Sequence, residues 1–259
     1  MMYVDRELVR RVEQTAAEFC ARQVDALAGA AAQECDGGWL IAFGPGRYVN
    51  RAMAIGLGGT AADEIVANVT GFYSAHSLPA SVEINPWVDA SLVRALSDAG
   101  FRLERFRNVY VRELSALPDQ PAADIRPVDV ASALARKAIL AADVAADSEA
   151  RRISDEYCDA VAQLGDSCDL VAIIDGVPVA CGSLTVVRGI AGLGGAATLA
   201  THRGRGLQQA LLIHRLHLAA DVGCDFASAT AVPDGQSARN LERLGFQLLY
   251  TQTVLTTVA

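Results

Sequence analysis

Lysine is nearly absent from this 259-residue chain: Lys137 stands alone among 22 basic residues, the other 21 being arginine. With the abundant alanine, that imbalance reads as the coding bias of a GC-rich bacterial gene. Long apolar runs are missing too. Each is broken by charge or glycine well short of the ~20 residues a membrane span requires, and no membrane association is expected. The opening MMYVDRELVRR carries acids where a signal peptide has an apolar stretch. Neither half is basic: residues 1–121 and 122–259 each hold 15 acids and 11 bases, which argues against a nucleic-acid-binding module. The six cysteines (Cys20, Cys35, Cys158, Cys168, Cys181 and Cys224) form no CxxC pair and no Cys/His cluster at zinc spacing, so no metal is expected. They sit mostly among apolar or small residues and read as reduced, mostly buried thiols of a cytoplasmic protein. A catalytic cysteine is the alternative.

What is present is ample core. Hydrophobic residues make up 52% and charged ones 20%, which excludes disorder. The length allows one large domain or two of ordinary size. Apolar residues at helical spacing predict a first helix from Asp5, its cap, to about Leu27. Strands are expected in 38–56 around the turn at 44–46, in 81–85 and in 101–114; helices are expected at about 61–74 and 89–99. ALPDQPAAD (116–124) is the best linker in the chain. Beyond it come two helices over about 128–145 and 147–164. Strands at 169–175 and 178–187 are joined by the hairpin pair Asp175-Gly176. A glycine-rich strand follows at 190–199, then a helix over about 204–222, a strand at 225–231, a helix at 235–244 and a strand at 246–256. The expected class is α/β, a mixed α+β sheet with flanking helices, cut into domains 1–118 and 122–259.

The two halves resemble each other. A shift of 145 lays DASLVRALSDAGF (89–101) on DGQSARNLERLGF (234–246), and GGTAAD (58–63) on RGRGLQ (203–208). A constant offset across both helix starts suggests a degenerate duplication, the alternative being chance.

The chemistry concentrates in ATHRGRGLQQALLIHRL (200–216). A strand feeds a short loop of two glycines and two arginines that opens a helix. Gly204 and Gly206 let backbone approach a ligand, the first helical turn offers free N–H groups to an anion, and Arg203 and Arg205 add charge-assisted donors. This reads as a pyrophosphate cradle; the alternative is a tight turn with solvated arginines. No Gly-Lys-Ser/Thr follows, so it is not a Walker loop.

Here the chain resembles the GNAT N-acetyltransferase superfamily, over about 124–256. The family's Gln/Arg-x-x-Gly-x-Gly/Ala reads Arg203-Gly204-Arg205-Gly206-Leu207-Gln208, departing only at Gln208, and Leu-Gly-Phe at 244–246 is a second mark. The resemblance implies two tandem GNAT-like acyl-CoA N-acyltransferase folds and transfer of an acetyl group from acetyl-CoA to a primary amine of a small acceptor. It implies that Ala196, Ala197 and Thr198 line the pantetheine arm and that the N–H groups of 204–208 hold the diphosphate. Ser237 and Asn240 would touch the cofactor, although the family's Asn position is Asp234. Its usual thiolate-protonating Tyr position is Leu241, so Tyr250 is the nearest substitute acid. The alternative reading of Tyr250 is structural, and the Ala259 carboxylate is a further candidate base. His202, His214 and His217 read as surface or packing residues. The first half, with Asp63 and Glu64 at the corresponding place and no Arg, is expected to be a degenerate GNAT-like domain. It would bind no cofactor, and Trp87 would serve as a groove wall or a plug. A catalytically weak CoA-binding sensor or scaffold is the competing class, and homodimerisation is left open.

Overall fold

A computed structural model describes residues 5–47, 49–146, 148–165 and 167–257; Ala259 lies outside them. In chain order the elements are α1 (Arg6–Arg22), β1 (Ala31–Cys35), β2 (Gly38–Ala42), β3 (Asn50–Met53), α2 (Ala62–Ala75), β4 (Ser81–Ile84), α3 (Ala90–Asp98) and β5 (Phe101–Glu113). Then follow β6 (Asp124–Pro127), α4 (Val130–Leu140), α5 (Glu149–Leu164), β7 (Ser167–Ile174), β8 (Val177–Val187), β9 (Ile190–Thr198), α6 (Leu207–Asp221), β10 (Phe226–Ala231), α7 (Gln236–Arg243) and β11 (Gln247–Thr257). Two compact units result. The first holds Met1–Tyr110, Thr230–Gly235 and Leu248–Ala259, and the second Val111–Ala229 and Gln236–Gln247. Among the described residues no helix is long and apolar enough to cross a membrane.

In the first unit the strands lie in the order β1-β2-β3-β4-β11-β5. Asp5 caps α1 as expected, its carboxylate accepting from Leu8 N at 2.8 Å. Leu40, Ile65, Val69, Tyr73, Val82 and Leu96 form the core between sheet and helices. Full burial of side chains of this kind contributes roughly 1.5–3 kcal/mol each. The polar tip of Tyr73 is satisfied by the backbone of Ile41, donating to its carbonyl at 3.0 Å and accepting from its N–H at 3.2 Å. Strand β1 was not foreseen. AAQEC has little intrinsic strand preference; the tight turn at Asp36-Gly37 brings Cys35 opposite Gly38 and zips it onto β2.

The second unit orders its strands β10-β9-β8-β7-β6. Neighbouring residues on a strand face opposite sides of the sheet, and β8 shows it. Ala180 packs with Leu207 and Leu211 of α6, whereas Cys181 packs with Ile139 of α4. The duplication is visible in three dimensions. Helices α2 and α6 begin at Ala62 and Leu207, strands β4 and β10 at Ser81 and Phe226, both pairs 145 positions apart.

The last strand departs from that symmetry. By sequence β11 is the counterpart of β5 and follows the second unit's α7, yet it pairs antiparallel with β4, Val254 opposite Glu83. A division of the chain near residue 120 is therefore replaced by one in which the C-terminal strand belongs to the first unit. Glu13 of α1 fixes it there. It is 4% exposed and accepts from the Tyr250 hydroxyl and from Gln252 Nε2 of β11, the latter at 3.1 Å. Burial pushes its carboxyl from the ordinary 4.5 up to about 7, against the pull of those two donors, and Glu83 adds to the rise.

The folded chain thus holds a proton on Glu13 up to about 7, whereas an unfolded carboxyl releases it near 4.5. The stability gained from this residue is full below the lower value and lost as pH rises through the higher one. Glu13→Gln should abolish that slope. Relative to wild type the variant is expected to gain up to roughly 3 kcal/mol between about pH 5 and about pH 8, read from urea midpoints.

Candidate functional site

The site of the second unit begins with two parallel strands that separate. β9 and β10 pair only at Ile190–Phe226, Ala191–Ala227 and Gly192–Ser228. β9 then continues to Thr198 with its other edge held by β8, Ala180 opposite Thr198. Past Gly192 the inner edge of β9 is thus open backbone, available to an extended ligand as to a strand. Ala196, Ala197 and Thr198 lie on this stretch, Ala196 exposed and the other two half-buried.

The stretch also carries a bulge. Between Cys181–Ala197 and Ser183–Gly194, β8 advances two residues while β9 advances three. The extra residue bends the strand and frees a peptide group. Gly195 takes φ +55, and a Cβ there would lie 2.4 Å from Ser183 Oγ. On one face Arg136 of α4 donates to Ser183 Oγ at 3.0 Å and to Asp169 Oδ1 at 2.9 Å. Cys181 Sγ points at the Gly195 carbonyl at 3.5 Å, and burial pushes that thiol up to about 11. On the other face Arg215 of α6, 1% exposed, reaches the same region. Burial pushes its guanidinium down to about 10.

At the end of β9 the chain turns through Arg203–Gly206 into α6. The cap of α6 is Gly206 at φ +75 with no side chain capping the helix. The first-turn amides therefore lack intrahelical partners and point outward. A Cβ at Gly204 or Gly206 would meet nothing within 4 Å, so the glycines serve backbone conformation and leave open space over the loop. Arg203 and Arg205 are exposed. Arg203 pairs with Asp143 at 2.5 Å and donates to the Thr198 carbonyl at 3.2 Å. An ion pair this exposed is worth little and leaves the guanidinium free to exchange Asp143 for a phosphate. Leu207 is buried as the first core residue of the helix.

The departure from the family loop acquires a partner. Gln208 Oε1 accepts from Asn240 Nδ2 of α7 at 2.6 Å. Asn240 Oδ1 in turn accepts from Gln236 and from Arg243, at 2.9 and 3.1 Å. Asn240 thus braces α7 against the loop helix. Ser237 is exposed in the first turn of α7. Leu241 is core, 2% exposed. His217 bonds the Pro118 carbonyl at 2.8 Å and His202 bonds Thr201 at 2.9 Å.

Tyr250 belongs to the first unit. It lies on β11, donating to Glu13, with Trp87 edge-on at 5.8 Å. Burial first and Glu13 second push its hydroxyl well above the ordinary range. A phenol whose proton is committed to a buried carboxyl is a poor acid for a departing thiolate, and these contacts favour the structural reading of Tyr250.

The first unit's counterpart of the loop differs in kind. Asp36, at the β1–β2 turn, accepts from the N–H groups of Gly56, Gly58 and Thr60 at 2.7, 3.1 and 2.8 Å. Three amides of the segment leading into α2, Thr60 among them, are thus filled by a carboxylate of the chain itself. Asp63 and Glu64, expected to occupy that place, sit exposed on the first turn of α2. Asp36 stands 20 to 24 residues from its amides, and its only local signal in the sequence is the Asp36-Gly37 turn.

A mixed sheet that forks between two parallel strands above a glycine-rich helix start defines an acyl-CoA-dependent acyltransferase type of fold. Residues 133–246 match the acetyltransferase (GNAT) family. No curated protein sequence matches the chain. Among solved structures, a GCN5-related N-acetyltransferase from Kribbella flavida is 21% identical, with 76% of this chain and 75% of that one covered and a TM-score of 0.59. A tandem GNAT protein from the clavulanic acid biosynthesis pathway is 14% identical over 97% and 94% of the two chains, TM-score 0.60. A GNAT-family acetyltransferase from Colwellia psychrerythraea is 12% identical over 99% of each, TM-score 0.58. At these identities the likeness is one of fold, and it extends the GNAT fold to a tandem arrangement over the whole chain.

Gly206→Ala should cost about 1–2 kcal/mol of stability, since the methyl is unhindered and only the left-handed backbone opposes it. Chemical denaturation followed by far-ultraviolet dichroism measures this. A loss far larger would show that the loop is packed where it is now open.

Proposed function

We propose that the second unit binds acetyl-CoA and transfers its acetyl group to a primary amine of a small acceptor. The observation that carries this reading is the fork. β9 leaves β10 at Gly192 and runs, one edge open, to a helix start whose amides have no cap. The residues present fit the donor: Ala196, Ala197 and Thr198 offer backbone to the pantetheine arm, and the amides of 204–208 with Arg203 and Arg205 offer donors to the diphosphate. Acetyl-CoA supplies a thioester whose carbonyl carbon accepts the amine nitrogen as the carbon–sulfur bond breaks. A β9 backbone N–H supports the oxygen as charge grows on it. With Tyr250 engaged by Glu13, the thiolate takes its proton from the incoming amine or from water. An ordinary thiol pKa of about 8.5 makes that feasible near neutrality. The six free thiols fit a reducing compartment, and we place the protein in the cytoplasm.

A second reading, a CoA-binding sensor or scaffold with little turnover, is favoured by one observation: β9, IAGLGGAAT, carries no ionisable side chain to serve as base. Thiol release from acetyl-CoA in the presence of an amine panel supports transfer. Tight binding with no release above the hydrolytic background supports the sensor.

Arg203→Ala and Arg205→Ala should each weaken CoA binding about tenfold, as charge-assisted hydrogen bonds of roughly 1.5–3 kcal/mol are lost. Affinity unchanged in the double variant, by calorimetry, removes the loop from the site. The same titration should give one CoA per chain, because Asp36 takes three amides of the first unit's loop and that loop carries no arginine. Two per chain would overturn that asymmetry.

A further inference from the structure

Arg215 is buried, and among the described residues no carboxylate pairs with it. Its three bonds go to carbonyls: Nε to Leu211 at 3.1 Å in its own helix, and Nη1 to Ser183 at 2.9 Å and Gly194 at 3.1 Å. Sinking a guanidinium that no anion neutralises is costly, so the core alone gives no reason to place one here. The sheet is shaped to receive it. A Cβ at Gly182 would lie 2.9 Å from the guanidinium carbon.

The two strand carbonyls that Arg215 holds belong to the register pair Ser183–Gly194, which closes one end of the β9 bulge. On the opposite face Arg136 holds Ser183 Oγ, and Gly195 leaves room for that hydroxyl against the strand. The extra residue of β9 is therefore gripped from both sides of the sheet. A trans peptide is planar, with its N–H directed opposite its C=O. Anchoring the Gly194 carbonyl thus fixes the orientation of the Gly195 N–H. Arg215 stands two turns below the amides of Leu207 and Gln208, so a single helix carries both the anion site and the anchor of the bulge.

We propose that Arg215 is a positioning residue that holds the β9 bulge in the shape presenting a backbone N–H to the thioester carbonyl. The assignment rests on the reading of the second unit as an acetyl-CoA site. It separates the two jobs of α6: the helix start binds the nucleotide end of the donor, and Arg215 acts only through the strand.

The test uses the full chain, CoA, and acetyl-CoA labelled with carbon-13 at the carbonyl. Arg215→Lys keeps a buried cation but loses the planar fork; Gly182→Ala keeps the arginine and displaces it. In wild type the bound carbonyl resonance should move downfield of the free one, as expected of a carbonyl polarised by a donor. In either folded variant at least about half of that displacement should vanish, while the Kd for CoA, which has no thioester, stays within about threefold. A purely structural role would lower the melting temperature and leave the carbonyl resonance of the folded, saturated protein in place. Full displacement retained in either variant overturns the assignment, and so does a parallel tenfold loss of CoA and acetyl-CoA affinity. If wild type binds no acetyl-CoA, the donor reading falls and the assignment with it. Binding with an unchanged resonance in the variants removes Arg215 alone.

Discussion

The separation of β9 from β10 after Gly192 organises the second unit. Paired strands have no free edge in the middle of a sheet; these two stop pairing after three residues and leave one. Everything nearby serves that opening. Small residues, IAGLGGAAT, keep side chains out of it. The bulge at Gly195 bends the strand, and the buried arginines of α4 and α6 hold the bend. Where the strand ends, Arg203–Gly206 deliver an uncapped helix start. Backbone groups do most of the work, which is why so few ionisable side chains appear along the strand.

The first unit shows what the same plan becomes when its binding groups are reassigned. Its parallel pair also meets briefly, Ala52 opposite Val82, and its loop again precedes a helix. Here the donors of the loop have found an internal acceptor in Asp36, and the helix start has acids where the other has a glutamine pair. A carboxylate tethered through the β1–β2 turn is always present at its site, so no external anion competes with it on equal terms.

A second carboxylate ties the chain's first helix to its last strand. Glu13 takes bonds from Tyr250 and Gln252, while Glu83 beside it is neutralised by Arg51 and Arg107, each at 2.8 Å. The cost of burying Glu13 is visible in its raised affinity for a proton. Through that bond Tyr250 joins β11 to α1 within the first unit.

The local elements and the loop are legible in the order of residues. Helix caps, glycine-terminated helices, the Asp175-Gly176 hairpin and the Arg-Gly-Arg-Gly start of α6 are written in residues close along the chain, and backbone preference reads them directly. The constant offset of 145 also survived, because duplicated segments keep their spacing when they fold alike. Tertiary structure alone decided the rest. β1 exists because a turn pairs it, despite its alanines. β11 lies in the first unit because Val254 and Glu83 meet across 171 positions of chain. Apart from Leu211 within α6, the hydrogen-bond partners of Asp36, Glu13 and Arg215 stand 20 to 239 positions away. A hydrogen bond between distant residues leaves no periodicity behind, and burial, which fixes its strength, is a property of the packed chain.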